Sequence, residues 1–372
     1  MERRKLLQRS RRIVVKVGTA SITEDLNLSD AKVGKIAKEV NELRKTGKEV
    51  IIVSSGAIAA GIRKLRLGVR PRLMDMLQAT AAVGQNELMK AYGKAFSREG
   101  VDVAQILLTR DDFNSRNRCL MIRNTINALI KARVVPIINE NDSVAVDEIR
   151  FGDNDTLSAV VAANTGADLL VLLSSMDGLY TKDPERSSDA VKIHVVDRIT
   201  SEISSLQGRS RLGGVGGISA KVKAGKLMME CGIPMAIVDA SMDGVFSRLL
   251  RGESVGTVFV PDEKVGNRRR WMLFSPVSKG SITVDDGAAR IIAKGTASLL
   301  PSGITQVKGL FKKGDLVTVT DRSGAELARG ISNLQSDEID SIKGLKSAEA
   351  SATLGRPCRE VICHDNMLLL ER

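Results

Sequence analysis

Acidic side chains concentrate in one short stretch of a chain that is basic overall. Residues 138–155 read INENDSVAVDEIRFGDND and hold six carboxylates and three asparagines against one arginine. The whole chain of 372 residues carries 56 Lys and Arg against 44 Asp and Glu, a net charge of +12. The apolar run RVVPIIN leads directly into the stretch. Carboxylates just past a buried strand can hold a lysine, a metal ion or a substrate ammonium, although a solvated loop can have the same composition.

Lysines, hydroxyls and glycines occur at the ends of other apolar runs. Lys16 stands in VVKVGTAS, residues 54–56 read SSG, and the glycine-rich RLGGVGGISAK runs into a helix with Lys221. Glycine lets the backbone approach a ligand, and a helix N-terminus offers free N–H groups to anions. The glycine cluster matches neither a Walker A motif nor G-x-G-x-x-G. Read alone, it is also typical of a mobile loop, and Lys16 of a strand-edge lysine.

Together these residues could perform phosphoryl transfer from a nucleotide. That reaction needs cations around the phosphates and little covalent chemistry, and lysines with Mg²⁺ supply the cations. A carboxylate near the lysines would hold them, or the metal, in position. Acids elsewhere in the same loop would bind a cationic group of the substrate, for which the ammonium of an amino acid is the obvious candidate.

Six apolar, β-branched runs alternate with helical patterns and predict the frame that positions these residues. The runs cover residues 13–18, 49–56, 101–109, 133–139, 167–175 and 233–240. Helical spacing of apolar residues covers 29–46, 72–98, 116–132 and 219–231. Ser29 is placed as an N-cap and Gly47 as a C-terminal stop. The alternation predicts a parallel sheet covered on both faces, with ligands beyond the carboxyl ends of its strands.

The pattern changes near residue 262. The segment PDEKVGNRRRW is typical of a linker, and the short runs GSITVDDGAARII, LLPSGITQVKG, FKKGDLVTVTD and ELARGISN follow it. These runs predict a small β-rich domain. Residues 276–372 hold 13 Lys and Arg against 12 Asp and Glu, so the basic excess lies in residues 1–275.

Composition and targeting signals narrow the class of protein. No apolar segment follows the basic start MERRKLLQRSRR, and no run of about 18 apolar residues occurs, so neither a secretory signal nor a membrane span is expected. We interpret that start as a solvated, partly disordered end. The four Cys form no CxxC pair, which favours a reducing cytoplasm over a disulfide framework. With two His in the chain, a zinc site at Cys363 and His364 is not expected.

The motifs at these positions closely resemble the glutamate 5-kinase branch of the amino-acid kinase family. The matching segments, which lie within residues 11–260, are VVKVGTASIT, IIVSSGAIAAG, LLTRDDF, PIINENDSVAVDEIRFGDNDTLSA, GLYTKDP and GGISAK. The C-terminal segment resembles a PUA domain, an RNA-associated module. The resemblance implies an α/β three-layer sandwich with a mostly parallel central sheet over residues 11–261, and a small β-rich PUA-like domain over residues 276–362.

Members of that branch phosphorylate the γ-carboxylate of L-glutamate with ATP and Mg²⁺, the first step toward proline. The resemblance implies two phosphate-contacting lysines, an acid that orients them, three glutamate contacts and a set of nucleotide contacts. Carried over by position, the phosphate-contacting lysines are Lys16 and Lys221, and the acid that orients them is Asp155. The glutamate contacts are Ser55, Asp142 and Asn154. The nucleotide contacts are Lys16, Ser174, Ser175, Val215, Gly216, Gly217, Ile218, Ser219, Ala220 and Lys221. No residue of the chain is carried over as a metal ligand.

Two departures from the family pattern fall on the nucleotide side. The family has Thr-Asp where this chain has Ser174-Ser175, and Gly-Thr-Gly-Gly-Met-x-Thr-Lys where residues 214–221 read GVGGISAK. Two hydroxyls and one carboxylate are missing, whereas the backbone donors and Lys221 are retained. The departures therefore bear on nucleotide affinity more than on the type of reaction.

The chemistry of glutamate agrees with this interpretation. Its γ-carboxyl group, with a pKa of about 4.3, is ionised at neutral pH, so phosphorylation needs no general base and no catalytic His. The remaining tasks are charge neutralisation and in-line positioning. The resemblance also suggests feedback inhibition by proline, and a cytoplasmic homo-oligomer is expected.

Two other functions are alternatives. N-acetylglutamate kinase has the same implied fold, but an acetylated amine is neutral and does not need acids beside it. An RNA-binding protein could act through the PUA-like domain. The net charge of +1 in residues 276–372 does not favour this, because an RNA binder should have its basic patch on the RNA module.

Overall fold

The computed structural model describes residues 2–24, 27–145, 153–184, 186–206, 217–262, 270, 272–273, 278–295 and 297–370. The chain divides into two compact units, Met1–Asp112 with Leu120–Val265 and Phe113–Cys119 with Gly266–Arg372. Among the described helices, none combines the length and the apolar character that crossing a lipid bilayer requires.

The elements of the first unit extend along the chain as far as residue 259. The strands are β1 Arg12–Val17, β2 Thr23–Glu24, β3 Asn27–Leu28, β4 Glu49–Ser54, β5 Val103–Leu108, β6 Val135–Glu140, β7 Leu169–Ser174, β8 Leu179–Tyr180, β9 Lys192–Ile193, β10 Val195–Val196, β11 Met235–Asp239 and β12 Thr257–Phe259. The helices are α1 Glu2–Arg9, α2 Asp30–Lys45, α3 Ala57–Lys64, α4 Met74–Ser97, α5 Arg116–Lys131, α6 Asn154–Thr165, α7 Ser201–Ser205, α8 Ile218–Glu230 and α9 Val245–Leu250.

Eight of these strands form one mostly parallel sheet in the order β10-β12-β11-β7-β1-β4-β6-β5. Neighbouring strands are parallel except for β11 and β12, which run antiparallel. Every residue of β6 and β7 is buried, so both faces of the sheet are covered there. The predicted parallel sheet is confirmed, and the six predicted strands correspond to β1, β4, β5, β6, β7 and β11.

The predicted helices are also confirmed, and their ends follow local chemistry. The Ser29 hydroxyl accepts the N–H of Lys32 at 3.4 Å and caps α2. Gly47, just past the end of that helix, has φ +81°, a left-handed conformation that glycine adopts without a steric cost.

Helices α3 and α4 cross at very close range. A Cβ atom on Gly61 would overlap the backbone of Thr80, and one on Gly84 would overlap the backbone of Ala57. Only glycine therefore permits this approach at the two positions. Because α3 begins two residues after Ser55, the crossing also fixes the loop that leaves β4.

The basic start of the chain differs from its interpretation as a disordered end. Residues 2–9 form α1, and its Leu7 side chain is fully buried in the main hydrophobic core. The Lys48 ammonium donates to the backbone carbonyls of Gln8 and Ser10 at 3.1 and 2.7 Å. The buried Leu7 side chain and the hydrogen bonds from Lys48 therefore dock this segment on the first unit.

The second unit contains a five-stranded sheet in the order β14-β13-β15-β16-β17. Its elements are β13 Ser281–Val284, α10 Asp286–Ile292, β14 Ile304–Lys308, β15 Leu316–Thr320, β16 Glu326–Ile331, α11 Ser336–Ile342, α12 Ser347–Leu354 and β17 Met367–Leu369. The predicted small β domain is confirmed, but GSITVDDGAARII is β-structure only as far as Val284. The Asp285 carboxylate then accepts the N–H of Ala288 at 2.7 Å and caps a helix.

Candidate active site

The site lies where the strand order reverses. Strand β1 is flanked by β4 on one side and β7 on the other, and the chain visits these two sides in succession. Lys16 pairs with Val53 of β4 and Leu172 of β7, one residue before β1 ends. In open α/β sheets, ligands bind at such a switch point, beyond the carboxyl ends of the strands.

Two lysines share one carboxylate at this point. The Lys16 Nζ atom lies 2.7 Å from Asp155 Oδ1, and the Lys221 Nζ atom lies 3.1 Å from Asp155 Oδ2. The Asp155 side chain is 0% exposed, and those of Lys16 and Lys221 are 8% and 7% exposed. The two ammonium groups thus meet at one buried carboxylate near the carboxyl end of β1, where they can contact an incoming anion.

Three separate elements bring this cluster together. Lys16 comes from β1, Asp155 from the first turn of α6 and Lys221 from the first turn of α8. Helix α6 packs against both α8 and β1. The three residues that the sequence assigns to phosphate chemistry are thus in direct contact.

The acidic stretch after β6 has several distinct structural roles. Asp153 caps α6, because its carboxylate accepts the N–H of Thr156 at 2.6 Å. Asp155 binds the two lysines. Glu140 is buried at the end of β6, and Asp142 lies half-buried in the turn that follows. Asp147 and Glu148 lie outside the described residues.

Two predicted glutamate contacts, Ser55 and Asn154, are hydrogen-bonded to each other. The Asn154 side-chain Nδ2 donates to Ser55 Oγ at 2.9 Å and to the Ser54 carbonyl at 2.9 Å. It also lies 3.0 Å from Asn139 Oδ1. Asn154, which directly precedes Asp155 in the chain, thus holds the Ser55 hydroxyl next to its own amide. The pair offers a small ligand a hydroxyl donor and a carbonyl acceptor.

Apart from Lys16 on β1, the predicted nucleotide contacts that the structure describes lie at the end of β7 and the start of α8. Ser174 ends β7 with its hydroxyl accepting the N–H of Met176 at 3.2 Å, and Ser175 is exposed. Gly217 is the N-cap residue of α8, and Ile218, Ser219 and Ala220 form its first turn with Lys221. The first residues of a helix have free N–H groups suited to phosphate. Val215 and Gly216 lie outside the described residues.

A further carboxylate near Ser175 is held by its own partners. Asp177 lies 2.8 Å from Lys192 Nζ and accepts the Tyr180 hydroxyl at 2.9 Å. Burial raises the pKa of Asp177, but the contacts with Lys192 and Tyr180 outweigh it and leave that pKa below its ordinary value. These contacts leave Asp177 a poor substitute for the carboxylate that the family has at position 175.

Sequence reasoning missed the buried side chains behind Ser55 and Asn154. Asn139 is 3% exposed and Gln85 is 8% exposed, and the Asn139 Nδ2 donates to Gln85 Oε1 at 2.9 Å. The Tyr92 hydroxyl lies 2.9 Å from Ser54 Oγ, and burial raises the pKa of Tyr92. The available signal was a polar residue within the apolar stripe of α4, where Gln85 lies between Ala81 and Leu88.

Comparisons with known proteins show which family the chain belongs to. Residues 11–239 match the sequence model of the Amino acid kinase family, and residues 280–354 match that of the PUA domain. Proteins named glutamate 5-kinase from Carboxydothermus hydrogenoformans, Moorella thermoacetica and Caldanaerobacter subterraneus subsp. tengcongensis are 45%, 43% and 42% identical to this chain. The alignments cover 99%, 99% and 97% of this chain, and 100%, 99% and 98% of those proteins. The resemblance found in the sequence is confirmed, and the chain belongs to the amino acid kinase family.

Proposed function

We propose that the protein is a glutamate 5-kinase, which transfers the γ-phosphoryl group of ATP to the γ-carboxylate of L-glutamate. The products are ADP and glutamyl 5-phosphate, and the reaction is the first step of proline biosynthesis. The observation that carries the proposal is the buried Lys16–Asp155–Lys221 cluster together with the Ser55–Asn154 pair, since Asn154 directly precedes Asp155 in the chain. The full-length identity of 42–45% to proteins of that name supports the choice of substrate.

The lysines neutralise the charge that develops during transfer. Asp155 holds both ammonium groups at one point, where they contact the transferred phosphoryl group. Such preorganised charge in a buried site is worth more than in water, because no solvent has to reorganise. The first turn of α8 contributes its N–H groups to the nucleotide phosphates.

The amino-acid end of glutamate is bound by Ser55, Asn154 and Asp142. The Ser55 hydroxyl accepts from Asn154, so its own proton is available for the α-carboxylate. The carbonyl oxygen of Asn154 and the carboxylate of Asp142 accept from the ammonium. This arrangement orients the γ-carboxylate toward the lysines, and its negative charge at neutral pH makes it the nucleophile without a base.

Mg²⁺ would supply further charge neutralisation at the ATP phosphates. Both oxygens of Asp155 contact lysines, which does not fit the role of a metal ligand. Within the described part of the chain, the grouping of three potential metal ligands is Cys363, His364 and Asp365, in the second unit. We therefore assign Mg²⁺ to the ATP phosphates, with this chain's lysines acting beside it.

We infer that the chain has a kinase domain followed by a PUA-like domain. Residues 11–261 form the kinase domain and residues 276–362 the PUA-like domain, supported by the family matches and by the division of the chain at residue 265.

The protein acts in the cytoplasm as a homo-oligomer. Proline inhibits it by competing near the glutamate site, since proline shares the α-carboxylate and the cationic nitrogen. RNA binding by the PUA-like domain is a second, weaker activity.

A comparison of substrates tests the proposal. The full-length protein is incubated with ATP, Mg²⁺ and either L-glutamate or N-acetylglutamate, and ADP release is measured. We expect kcat/KM for glutamate to be at least about tenfold higher, because the acetyl group removes the charge that Asp142 binds. Asp142→Ala should raise the KM for glutamate more than that for ATP. A preference for N-acetylglutamate would overturn the assignment of the acidic loop.

A further inference from the structure

A chain of amide side chains leads away from the glutamate contacts into the protein. Asn154 Nδ2 lies 3.0 Å from Asn139 Oδ1, and Asn139 Nδ2 lies 2.9 Å from Gln85 Oε1. Gln85 Nε2 then lies 3.2 Å from Gln105 Oε1. The chain joins the start of α6, the end of β6, the middle of α4 and the edge strand β5. We call these four residues the amide chain.

Two backbone groups fix the direction of its hydrogen bonds. The Glu140 N–H can only donate, and its acceptor at 2.9 Å must be the oxygen of the Asn139 amide. The Ser54 carbonyl can only accept, and its donor at 2.9 Å must be the nitrogen of Asn154. Once the Asn139 oxygen is fixed, its nitrogen faces Gln85, which must present its own oxygen. The direction therefore does not depend on how an amide is oriented in isolation.

This direction decides what the glutamate site offers. With its nitrogen turned toward Ser54, Ser55 and Asn139, Asn154 has its carbonyl oxygen left to accept from an ammonium. Ser55 accepts from Asn154 and keeps its proton for a carboxylate. A reversed Asn154 would present an N–H to the ammonium and would consume the Ser55 proton. The Ser54 carbonyl thus fixes the polarity that a free amino acid requires, and the amide chain behind the site has the matching direction.

We propose that Gln85 is a positioning residue for the amino-acid end of the substrate, acting through Asn139. This rests on the proposed function and identifies a residue outside the predicted contacts. Gln85 accepts from the Asn139 nitrogen and so holds the Asn139 side chain in place against Asn154. Without that acceptor, the Asn139 nitrogen is a buried unpaired donor. A shift of the side chain toward another acceptor then moves it away from Asn154, although its oxygen still accepts the Glu140 N–H. Gln105 is exposed, so water can replace it and it contributes little.

The test uses Gln85→Met, which keeps the length of the side chain and removes its hydrogen bonds. We expect the KM for glutamate to rise by about tenfold, as one lost buried hydrogen bond would produce, while the KM for ATP changes by less than about twofold. Gln85→Glu retains an oxygen for Asn139, and its KM should lie at least about threefold below that of Gln85→Met. Gln85→Leu replaces Gln85→Met if the latter does not fold.

Two controls separate positioning from loss of stability. Thr80 is fully buried on the same helix, and its hydroxyl donates to the Met76 carbonyl at 2.6 Å, outside the amide chain. Valine keeps the shape of the Thr80 side chain at the α3–α4 crossing, so Thr80→Val should lower the melting temperature and leave the KM for glutamate unchanged. Gln105→Leu should change that KM by less than about twofold, and adding it to Gln85→Met should have no further effect.

The outcomes distinguish this inference from the proposed function. No glutamate-dependent ADP release by the unsubstituted protein would overturn both. If the unsubstituted protein releases ADP normally and Gln85→Met has the same KM for glutamate as Thr80→Val, only the role of Gln85 is overturned. An equal rise in the KM values for ATP and glutamate would also overturn it, since a merely structural change affects both sites.

Discussion

Asp155 combines complete burial with contacts to two lysines through its two oxygens. Replacing a buried pair by apolar residues is often neutral for stability, so such a cluster is weak evidence of a stabilising role. Its two ammonium groups stand near the carboxyl end of β1, where ligands of parallel sheets bind and a phosphate would bring negative charge. The cluster therefore belongs to the chemistry of the protein more than to its folding.

Removing one lysine should lower catalysis with little effect on the fold. We expect Lys221→Ala to reduce kcat for glutamate phosphorylation by roughly 10²–10³, the typical cost of losing one preorganised charge-stabilising donor. Lys226→Ala is the matched control, because Lys226 is on the same helix, more than half exposed, and paired only weakly with Glu230 at 3.9 Å. Activity of Lys221→Ala within about threefold of the Lys226→Ala control would contradict the phosphate role.

Glu39 gives the first unit a stability that depends on pH. It is buried on α2 and accepts the Gly244 N–H at 3.1 Å, while its Oε2 has no hydrogen-bond partner among the described residues. Burial raises its pKa above the ordinary value of 4.5, more than the contacts with Gly244 and Lys35 lower it. A raised pKa in the folded state gives stability that is present below pH 4.5 and is lost as pH rises through the folded pKa.

The substitution Glu39→Gln removes that ionisation. We expect the melting temperature of the variant, relative to the unsubstituted protein, to increase between pH 4 and 8. A difference of 1 kcal/mol in the free energy of unfolding corresponds to about 2–4 °C in a unit of this size. Differential scanning fluorimetry across that range measures the trend. A melting-temperature difference between Glu39→Gln and the unsubstituted protein that stays constant or falls as pH rises would contradict a raised pKa of the buried Glu39 carboxyl.

The sequence identified residues at this scale only where they stand at the ends of elements. Lys16 lies near the end of an apolar run, and Lys221 follows a glycine cluster. Both were singled out because ligands of a parallel sheet bind beyond the carboxyl ends of its strands. Gln85 could not be found in that way, because its partner Asn139 lies 54 residues further along the chain. A buried polar contact between distant segments leaves no local pattern.

At the scale of elements, the crossing of α3 and α4 supports the loop that carries Ser55. Gly84→Ala would drive a methyl group into the backbone of Ala57, two residues after Ser55. We expect a loss of about 1–3 kcal/mol in the free energy of unfolding, together with a higher KM for glutamate.

Gly93→Ala on the same helix is the control. A Cβ atom there would meet no atom within 4 Å, so the substitution should stabilise by about 0.5–1 kcal/mol through helix propensity. Chemical denaturation measures both variants. A neutral Gly84→Ala would show that the two helices can separate without cost.

The sequence predicted long periodic elements well and short ones poorly. Strands such as β1 and β7 are continuous apolar runs because both of their faces are buried. Helix α6 was not predicted, since its first turn lies inside the acidic stretch, whose composition is typical of a loop. The strand β12 has only three residues, too few for a pattern.

At the scale of the whole molecule, each unit has its own hydrophobic core. The main core of the first unit draws on residues from Leu7 to Val258, and the cores of the second on residues from Met272 to Leu368. We expect a chain ending at residue 265 to fold and to phosphorylate glutamate, because Lys16, Asp155 and Lys221 all precede the cut. Solubility and circular dichroism must be checked before activity. A folded truncation without kinase activity would contradict the division into two functional parts.

Hydroxylamine trapping tests the central claim, phosphoryl transfer to the γ-carboxylate, most directly. The full-length protein is incubated with ATP, Mg²⁺, L-glutamate and hydroxylamine, which converts an acyl phosphate into a stable hydroxamate. We expect γ-glutamyl hydroxamate in proportion to the ADP released. Both products should be absent when glutamate is omitted and greatly reduced in Lys221→Ala. ADP release that depends on glutamate but gives no hydroxamate would contradict transfer to the γ-carboxylate, and hydroxamate formation at the full rate in Lys221→Ala would contradict the role of that lysine.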